Sequence, residues 1–178
     1  MTVLIIGTPD SGKSQKAEEI ALSLSRGKKK YYIATMIPFG EEGKLRVKKH
    51  LKLRDGKGFA TIEKPVDVHE LTEEIPDLKE STCLLECMSN LIGNEMHREG
   101  AADLQKLPGL ISGSVMSLAQ AAENLVIVTN RFPMDDPDYD EDTLSYVKLV
   151  AAVNDDLKRK ADRAYEPAGG EWKISENI

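Results

Sequence analysis

The sequence predicts an α/β fold: a mostly parallel sheet with helices on both faces and a short antiparallel edge at the C-terminus. Three observations predict it. Short apolar runs alternate with segments of helical spacing almost throughout the chain, the pattern of strand–helix–strand units. The first of these runs is apolar on both faces, as a buried parallel strand is. A glycine-bounded turn then separates it from the first helical segment. At 178 residues the chain has room for a real core but not for two standard domains and a linker, so 1–178 is read as one domain.

The elements follow in order. Thr2–Ile6 is a short β-branched and leucine run, read as a strand. Lys13–Ser25 has helical spacing, with Ala17, Ile20, Ala21 and Leu24 on one face and Gly27 as its stop. Tyr31–Thr35 reads as a second strand. Glu41–Arg54 is a basic helix with a thin apolar stripe of Leu45, Val47 and Leu51. Phe59–Glu63 is a third strand, and Val66–Ile75 a short helix stopped before Pro76. Thr82–Cys87 is a clearer strand, with Ser89 as a candidate cap for the helix after it. Leu104–Glu123 is helical, with a possible break at Pro108–Gly109, and Leu125–Asn130 is the last strong strand. Asp142–Tyr165 reads as one long helix carrying Leu144, Val147, Val150, Ala151, Leu157 and Ala161. Gly169–Gly170 is a turn into a short edge strand, Glu171–Ser175.

Composition removes several function classes. Net charge is −6, which argues against a bulk nucleic-acid binder. A 40% hydrophobic share excludes a disordered acidic tail protein. No apolar run approaches the ~18 residues of a membrane span, and the run Val3–Ile6 stops too early at Gly7 for a signal peptide. Cys83 and Cys87 stand four residues apart in one strand, roughly 13 Å, too far for a disulfide. They read as reduced thiols of a cytoplasmic protein.

The charge is segregated by position. Residues 44–57 hold Lys44, Arg46, Lys48, Lys49, Lys52, Arg54 and Lys57 against the single acid Asp55. Residues 135–142 hold Asp135, Asp136, Asp138, Asp140, Glu141 and Asp142. The acidic run admits three readings. Asp140, Glu141 and Asp142 suit the start of a helix, with a solvated loop before it. Asp135, Asp136 and Asp138 suit a cation site. The whole run also suits docking on the basic 44–57 face of a neighbouring subunit.

The strongest motif is Gly7-Thr8-Pro9-Asp10-Ser11-Gly12-Lys13-Ser14, which fits G-x-x-x-x-G-K-[ST] between a strand and a helix. Backbone N–H groups of such a loop wrap a phosphate, aided by the helix N-terminus. Gly12 keeps the loop free of bulk, Lys13 reaches the β- and γ-phosphates, and the Ser14 hydroxyl suits Mg²⁺. With the strand–helix alternation, this predicts a P-loop NTPase-type sheet. The metal needs an acidic partner at the end of a later strand. Glu86 closes Cys83-Leu84-Leu85-Glu86, and a carboxylate there needs a role, as metal ligand or as structural hydrogen-bond acceptor.

Arg46, His50 and Arg54 recur at i, i+4, i+8, a drift of only about 40° per step, so they share a helix face. Two flanking cations disfavour a protonated imidazole, which keeps His50 available as a nucleophile. Attack on an α-phosphate would give a phosphoramidate, with the cations stabilising the developing charge. A solvated basic face is the other reading. His69 and His97 are isolated and read as structural or surface residues.

Together these pieces resemble the adenosylcobinamide kinase / adenosylcobinamide-phosphate guanylyltransferase family of cobalamin biosynthesis. The resemblance rests on the order of Gly7–Ser14, Tyr32-Ile33-Ala34-Thr35, Arg46-Val47 with His50 and Arg54, Thr61-Ile62-Glu63 and Leu84-Leu85-Glu86-Cys87. Val128-Thr129-Asn130, Asn154 and Ala161-Asp162 also fit. It implies phosphorylation of the cobinamide hydroxyl by GTP or ATP, then transfer of GMP from GTP to that phosphate through a histidine–GMP intermediate. It places His50 as that histidine and Lys13 beside it as catalytic. It implies nucleotide contacts for Ala34, Thr35, Met36, Leu51, Lys52, Leu53, Arg54, Glu63 and Glu86, with Mg²⁺ at Ser14 and Glu86. It further implies a corrinoid substrate and a homotrimer. The chain departs from the family pattern at Thr8 and Asp10, at Arg131-Phe132-Pro133-Met134 with the acidic run, and at Val147-Lys148. A diverged kinase without guanylyl transfer, or a non-catalytic nucleotide-binding paralogue, are the alternatives.

Overall fold

The computed structural model describes residues 1–177; the side chains of Arg46, His50 and Leu53 lie outside the described part. Seven strands form one sheet in the order β3-β2-β4-β5-β1-β6-β7. They are β1 (Thr2–Gly7), β2 (Lys30–Ala34), β3 (Phe59–Glu63), β4 (Thr82–Glu86), β5 (Asn124–Asn130), β6 (Arg163–Ala168) and β7 (Glu171–Glu176). All neighbours pair parallel except β6 and β7, which form an antiparallel hairpin at the edge. Six helices connect them: α1 (Lys13–Ser25), α2 (Gly40–Arg54), α3 (Leu71–Glu74), α4 (Met88–His97), α5 (Leu107–Ala121) and α6 (Glu141–Lys160). No helix among the described residues is long and apolar enough to cross a membrane.

The sheet separates two apolar clusters, as strand alternation requires. Val3, Ile5, Tyr32, Leu84, Val126 and Val128 face α1, which contributes Ala17 and Ala21 with Ile20 and Leu24 at the margin. Leu4, Ile33, Leu85 and Ile127 face the other way, against Met88, Leu91 and Ile92 of α4, Ile111 and Val115 of α5, and Val150 and Val153 of α6. Leu84 and Leu85, fully buried on opposite faces, each stabilise the fold by about 1.5–3 kcal/mol. The small alanines of α1 let that helix lie close to β1, which fixes the turn between them.

Four expectations need correction. Asp142–Tyr165 is not one helix: α6 ends at Lys160, and Arg163–Ala168 is strand β6 beside β1. Apolar spacing through Leu157, Ala161 and Tyr165 continues the helical period, but tertiary pairing overrides it. The Asp162 carboxylate accepts from the Thr2 N–H at 2.6 Å, and the Asp162 N–H donates to the Thr2 carbonyl at 2.9 Å. The chain is thereby captured by the open edge of β1. Val66–Ile75 is a 3-10 turn at Val68–Glu70 followed by the short α3, because Asp67 takes a left-handed conformation (φ 51°) and delays the helix. Pro108 starts α5 rather than breaking it; its missing N–H is tolerated in a first turn. Ser89 does not cap α4. Cys87 holds the cap position without a side-chain bond, and the Ser89 hydroxyl accepts instead from Asn130 Nδ2 at 2.7 Å.

The basic helix extends from Gly40 to Arg54 but has little contact with the core. Leu45 is 64% exposed and Leu51 is also exposed, with Val47 half-buried, so among the described residues the thin stripe enters neither apolar cluster. Its acids Glu41 and Glu42 lie in the first turn and Lys52 and Arg54 in the last, the arrangement the helix dipole favours.

The acidic run divides into a loop and a helix start. Asp140 is the N-cap of α6 and accepts from the Thr143 N–H at 2.7 Å, which holds its carboxyl below the usual range. Asp136 accepts from the Asp138 N–H. Among the described residues no group of three or more His, Cys, Asp or Glu side chains is placed to hold a metal, so the cation site in this run is not formed. Asp140→Ala should cost about 1 kcal/mol, a Tm fall of roughly 2–4 °C for a chain of this size, read by thermal unfolding; an unchanged Tm would remove the capping role.

Candidate functional site

The site is built where β1 ends. Gly7 closes the strand in register with Asn130 of β5, and the chain turns through Thr8–Gly12 into α1. Two glycines permit the turn. A side chain at Gly7 would sit 2.3 Å from the Ser11 hydroxyl, and Gly12 has φ 79°, which only glycine adopts freely. Asp10 also lies in the left-handed region, at φ 61°. That conformation is one asparagine and aspartate tolerate better than most residues. The loop is pinned by Ser11 N–H to Thr8 carbonyl at 3.3 Å and Lys16 N–H to Gly12 carbonyl at 3.0 Å. Lys13 reaches back over it, and its ammonium donates to the Thr8 carbonyl at 3.0 Å. Burial lowers the Lys13 pKa, opposed by the charges of Cys87, Glu86 and Asp10.

Glu86 meets this loop from β4. One carboxylate oxygen accepts from the Ser14 hydroxyl, and the other accepts from the Tyr32 hydroxyl of β2 at 3.0 Å. Tyr32 is buried, and burial with the Glu86 charge pushes its hydroxyl well above the ordinary tyrosine range. The Arg54 guanidinium lies over the Tyr32 ring at 3.3 Å from its centroid. Arg54 is 7% exposed, and its Nε and one terminal nitrogen have no hydrogen-bond partner among the described residues. One chain of contacts therefore runs from the loop through Ser14, Glu86 and Tyr32 to the end of α2. His50 lies on α2 one turn before Arg54; its side chain is outside the described residues, as are those of Arg46 and Leu53.

The neighbouring strand ends are locked by amides. The Thr35 hydroxyl donates to the Cys87 carbonyl at 2.7 Å. Asn94 of α4 donates to the carbonyls of Thr35 and Pro65 at 2.8 and 2.9 Å. Asn154 of α6 accepts from the Thr129 hydroxyl at 2.7 Å and donates to the Asn130 carbonyl at 2.9 Å, fixing the tip of β5. Asn130 Oδ1 and Ser11 Oγ are buried without a partner among the described residues.

The structure brings Gly7, Thr8, Pro9, Asp10, Ser11, Gly12, Lys13, Ser14, Glu86 and Arg54 into this connected region, and Ala34 and Thr35 lie at the adjacent strand end. Glu63 sits opposite Ala34 at the tip of β3, exposed. No described contact joins Glu63 or Met36 to the loop. Leu51 and Lys52 are exposed on α2. Leu51 and Arg54 line an open cavity of about 420 Å³ with Gly58, Phe59 and Thr61. A second cavity of about 290 Å³, walled by Asp67, His69, Glu95, Arg98, Leu107 and Ile111, contains none of the residues that the sequence assigns to catalysis, nucleotide or metal.

His69 and His97 have structural partners. The His69 ring lies 3.0 Å from the Ser114 hydroxyl, and His97 pairs with Asp142 at 3.0 Å, which raises its pKa. Cys83 and Cys87 are free thiols, and burial pushes that of Cys83 up to about 12. Sequence reasoning gave no role to the side chains of Tyr32 or Asn94, and read Ser89 as a helix cap rather than as a partner of Asn130. Tyr32 carried a signal: a hydroxyl on the same strand face as Ala34, just before a strand tip. Asn94 carried none.

Chemically, the loop offers backbone donors and an ammonium to a phosphate chain. Ser14 and Glu86 offer hard oxygen ligands of the kind Mg²⁺ takes. Residues 3–172 match the model of a family described as cobinamide kinase / cobinamide phosphate guanyltransferase. No curated protein matches the chain. Among solved structures, the chain is similar to the ATPase domain of G40P, at 13% identity and a TM-score of 0.56, over 93% of this chain and 68% of that one. It is also similar to the ATP synthase subunit NeqB from Nanoarcheaum equitans, at 12% identity and a TM-score of 0.53, over 94% and 46%. FlaH, a flagellar accessory protein from Methanocaldococcus jannaschii, aligns at 15% identity and a TM-score of 0.44, over 97% and 75%. At these identities the solved structures speak to the fold alone.

Proposed function

The chain belongs to the cobinamide kinase / cobinamide phosphate guanyltransferase family, and from that premise we propose that it catalyses both reactions. In the first, the hydroxyl of the cobinamide side chain takes the γ-phosphoryl group of GTP or ATP and releases the nucleoside diphosphate. In the second, an imidazole nitrogen of His50 attacks the α-phosphorus of GTP and pyrophosphate leaves. The cobinamide phosphate oxygen then displaces the histidine, giving the GDP-linked product and free His50.

One observation carries the reading: the Gly7–Ser14 loop closes on Glu86 through the Ser14 hydroxyl, inside a chain matched almost end to end by the family. The residues act as follows. Backbone N–H groups of residues 8–14 orient the β- and γ-phosphates, and Lys13 exchanges its bond to the Thr8 carbonyl for a phosphate oxygen. Ser14 and Glu86 would hold Mg²⁺, with phosphate oxygens and water completing its shell, since no larger acidic cluster exists among the described residues. When bound, the ion neutralises charge that develops on the phosphate. Arg54 supplies buried donors to the nucleotide from the end of α2. Ala34, Thr35, Met36, Leu51, Lys52, Leu53 and Glu63 are assigned to the nucleotide by the same reading.

GTP labelled at its α-phosphate should leave an acid-labile label on the protein in the presence of Mg²⁺. A second reading, a kinase without guanylyl transfer, draws on the segment after Asn130. Arg131 there is engaged by Glu166, where the family carries glutamate and a glycine-rich turn. Phosphorylated cobinamide without any protein label would select that second reading.

A further inference from the structure

We propose that Tyr32 is a positioning residue that couples the phosphate loop to the end of α2. The inference rests on the reading of Gly7–Ser14 and α2 as parts of one nucleotide site.

Tyr32 is 4% exposed at the centre of β2, on the sheet face covered by α1. Its two ends do different things. The hydroxyl donates to one Glu86 oxygen at 3.0 Å, while Ser14 donates to the other. Glu86 is thus held between a donor from the phosphate loop and a donor from β2, and cannot rotate without breaking one of the bonds. The ring face carries the Arg54 guanidinium at 3.3 Å. A buried guanidinium is costly when its N–H groups are unpaired. Here Nε and one terminal nitrogen are unpaired among the described residues, so the ring is the principal described support for this cation. The ring contact holds the guanidinium in place, with those two N–H groups still able to take an anionic oxygen. Arg54 also borders the 420 Å³ cavity at the end of α2, the only one of the four coupled residues that does.

The consequence is mechanical. Any displacement of Glu86 moves the Tyr32 hydroxyl, and with it the surface on which Arg54 lies. A phenylalanine would fill the same core volume and engage no carboxylate; the tyrosine hydroxyl donates its hydrogen bond to the carboxylate that also meets the phosphate loop. Phenylalanine keeps the ring and removes the first link. Leucine removes both links while keeping an apolar side chain.

The test is equilibrium binding of a fluorescent GTP analogue to the full chain, with and without Mg²⁺, alongside thermal unfolding. Tyr32→Phe is expected to bind the analogue normally without Mg²⁺ and to lose about tenfold of the affinity that Mg²⁺ adds. Tyr32→Leu is expected to lose about tenfold without Mg²⁺ as well, with Arg54→Lys adding little to it because the stack is already gone. If both variants bind as the unaltered chain does, with only a lower Tm, Tyr32 is a core residue and the proposal is overturned. If the unaltered chain itself fails to bind the analogue, the reading of the nucleotide site fails first.

Discussion

Replacing His50 by alanine abolishes the α-phosphate label on the protein and lowers GMP transfer by about 10³–10⁶-fold, the range for removal of a covalent nucleophile. The same variant phosphorylates cobinamide within a few-fold of the unaltered rate. That split follows from where the groups lie. The loop, Ser14 and Glu86 form their contacts at the end of β1, and among the described residues none of those contacts involves α2 before Arg54. Persistent label on the alanine variant would remove His50 as the nucleophile. Loss of both activities together would mean that the basic helix serves the kinase step too.

Lys13→Ala produces the second large effect, with the opposite selectivity. The kinase step falls by about 10²–10³-fold, the cost of losing a charged group aimed at the transferred phosphoryl. Lys13 is half-buried in the loop, among the charges of Glu86 and Asp10, and folds back on the Thr8 carbonyl. Lys13→Arg should not restore the rate, because a planar fork does not replace a compact ammonium in a tight loop. Steady-state kinetics with cobinamide as acceptor reads the effect, and a kinase rate within twofold of the unaltered chain would contradict it.

What the sequence could and could not reveal follows from range. The phosphate loop was legible because strand, glycine turn and helix lie within 25 residues, and each local preference agrees with the fold. Glu86 was legible because a carboxylate ending an apolar strand needs a reason. β6 was not, because Ala161 and Tyr165 continue the period of α6, and only the open edge of β1 turns them into a strand. The stack of Arg54 on Tyr32 joins residues 22 positions apart on separate elements, and no local pattern announces it. The basic run was read correctly as a helix, yet its thin stripe finds no core to enter. The acidic run was legible as a helix start because Asp140 has a backbone N–H to cap, and not as a cation site.

The proposed enzyme performs two linked transfers, a phosphoryl group to the cobinamide hydroxyl and then GMP to the phosphate so formed. The direct measurement is the mass of the products after incubation with cobinamide, GTP and Mg²⁺. Two new species are expected in sequence: cobinamide phosphate first, then the GDP-linked compound, with pyrophosphate released only in the second step. Absence of either species, under conditions where the protein binds GTP, would contradict the proposal.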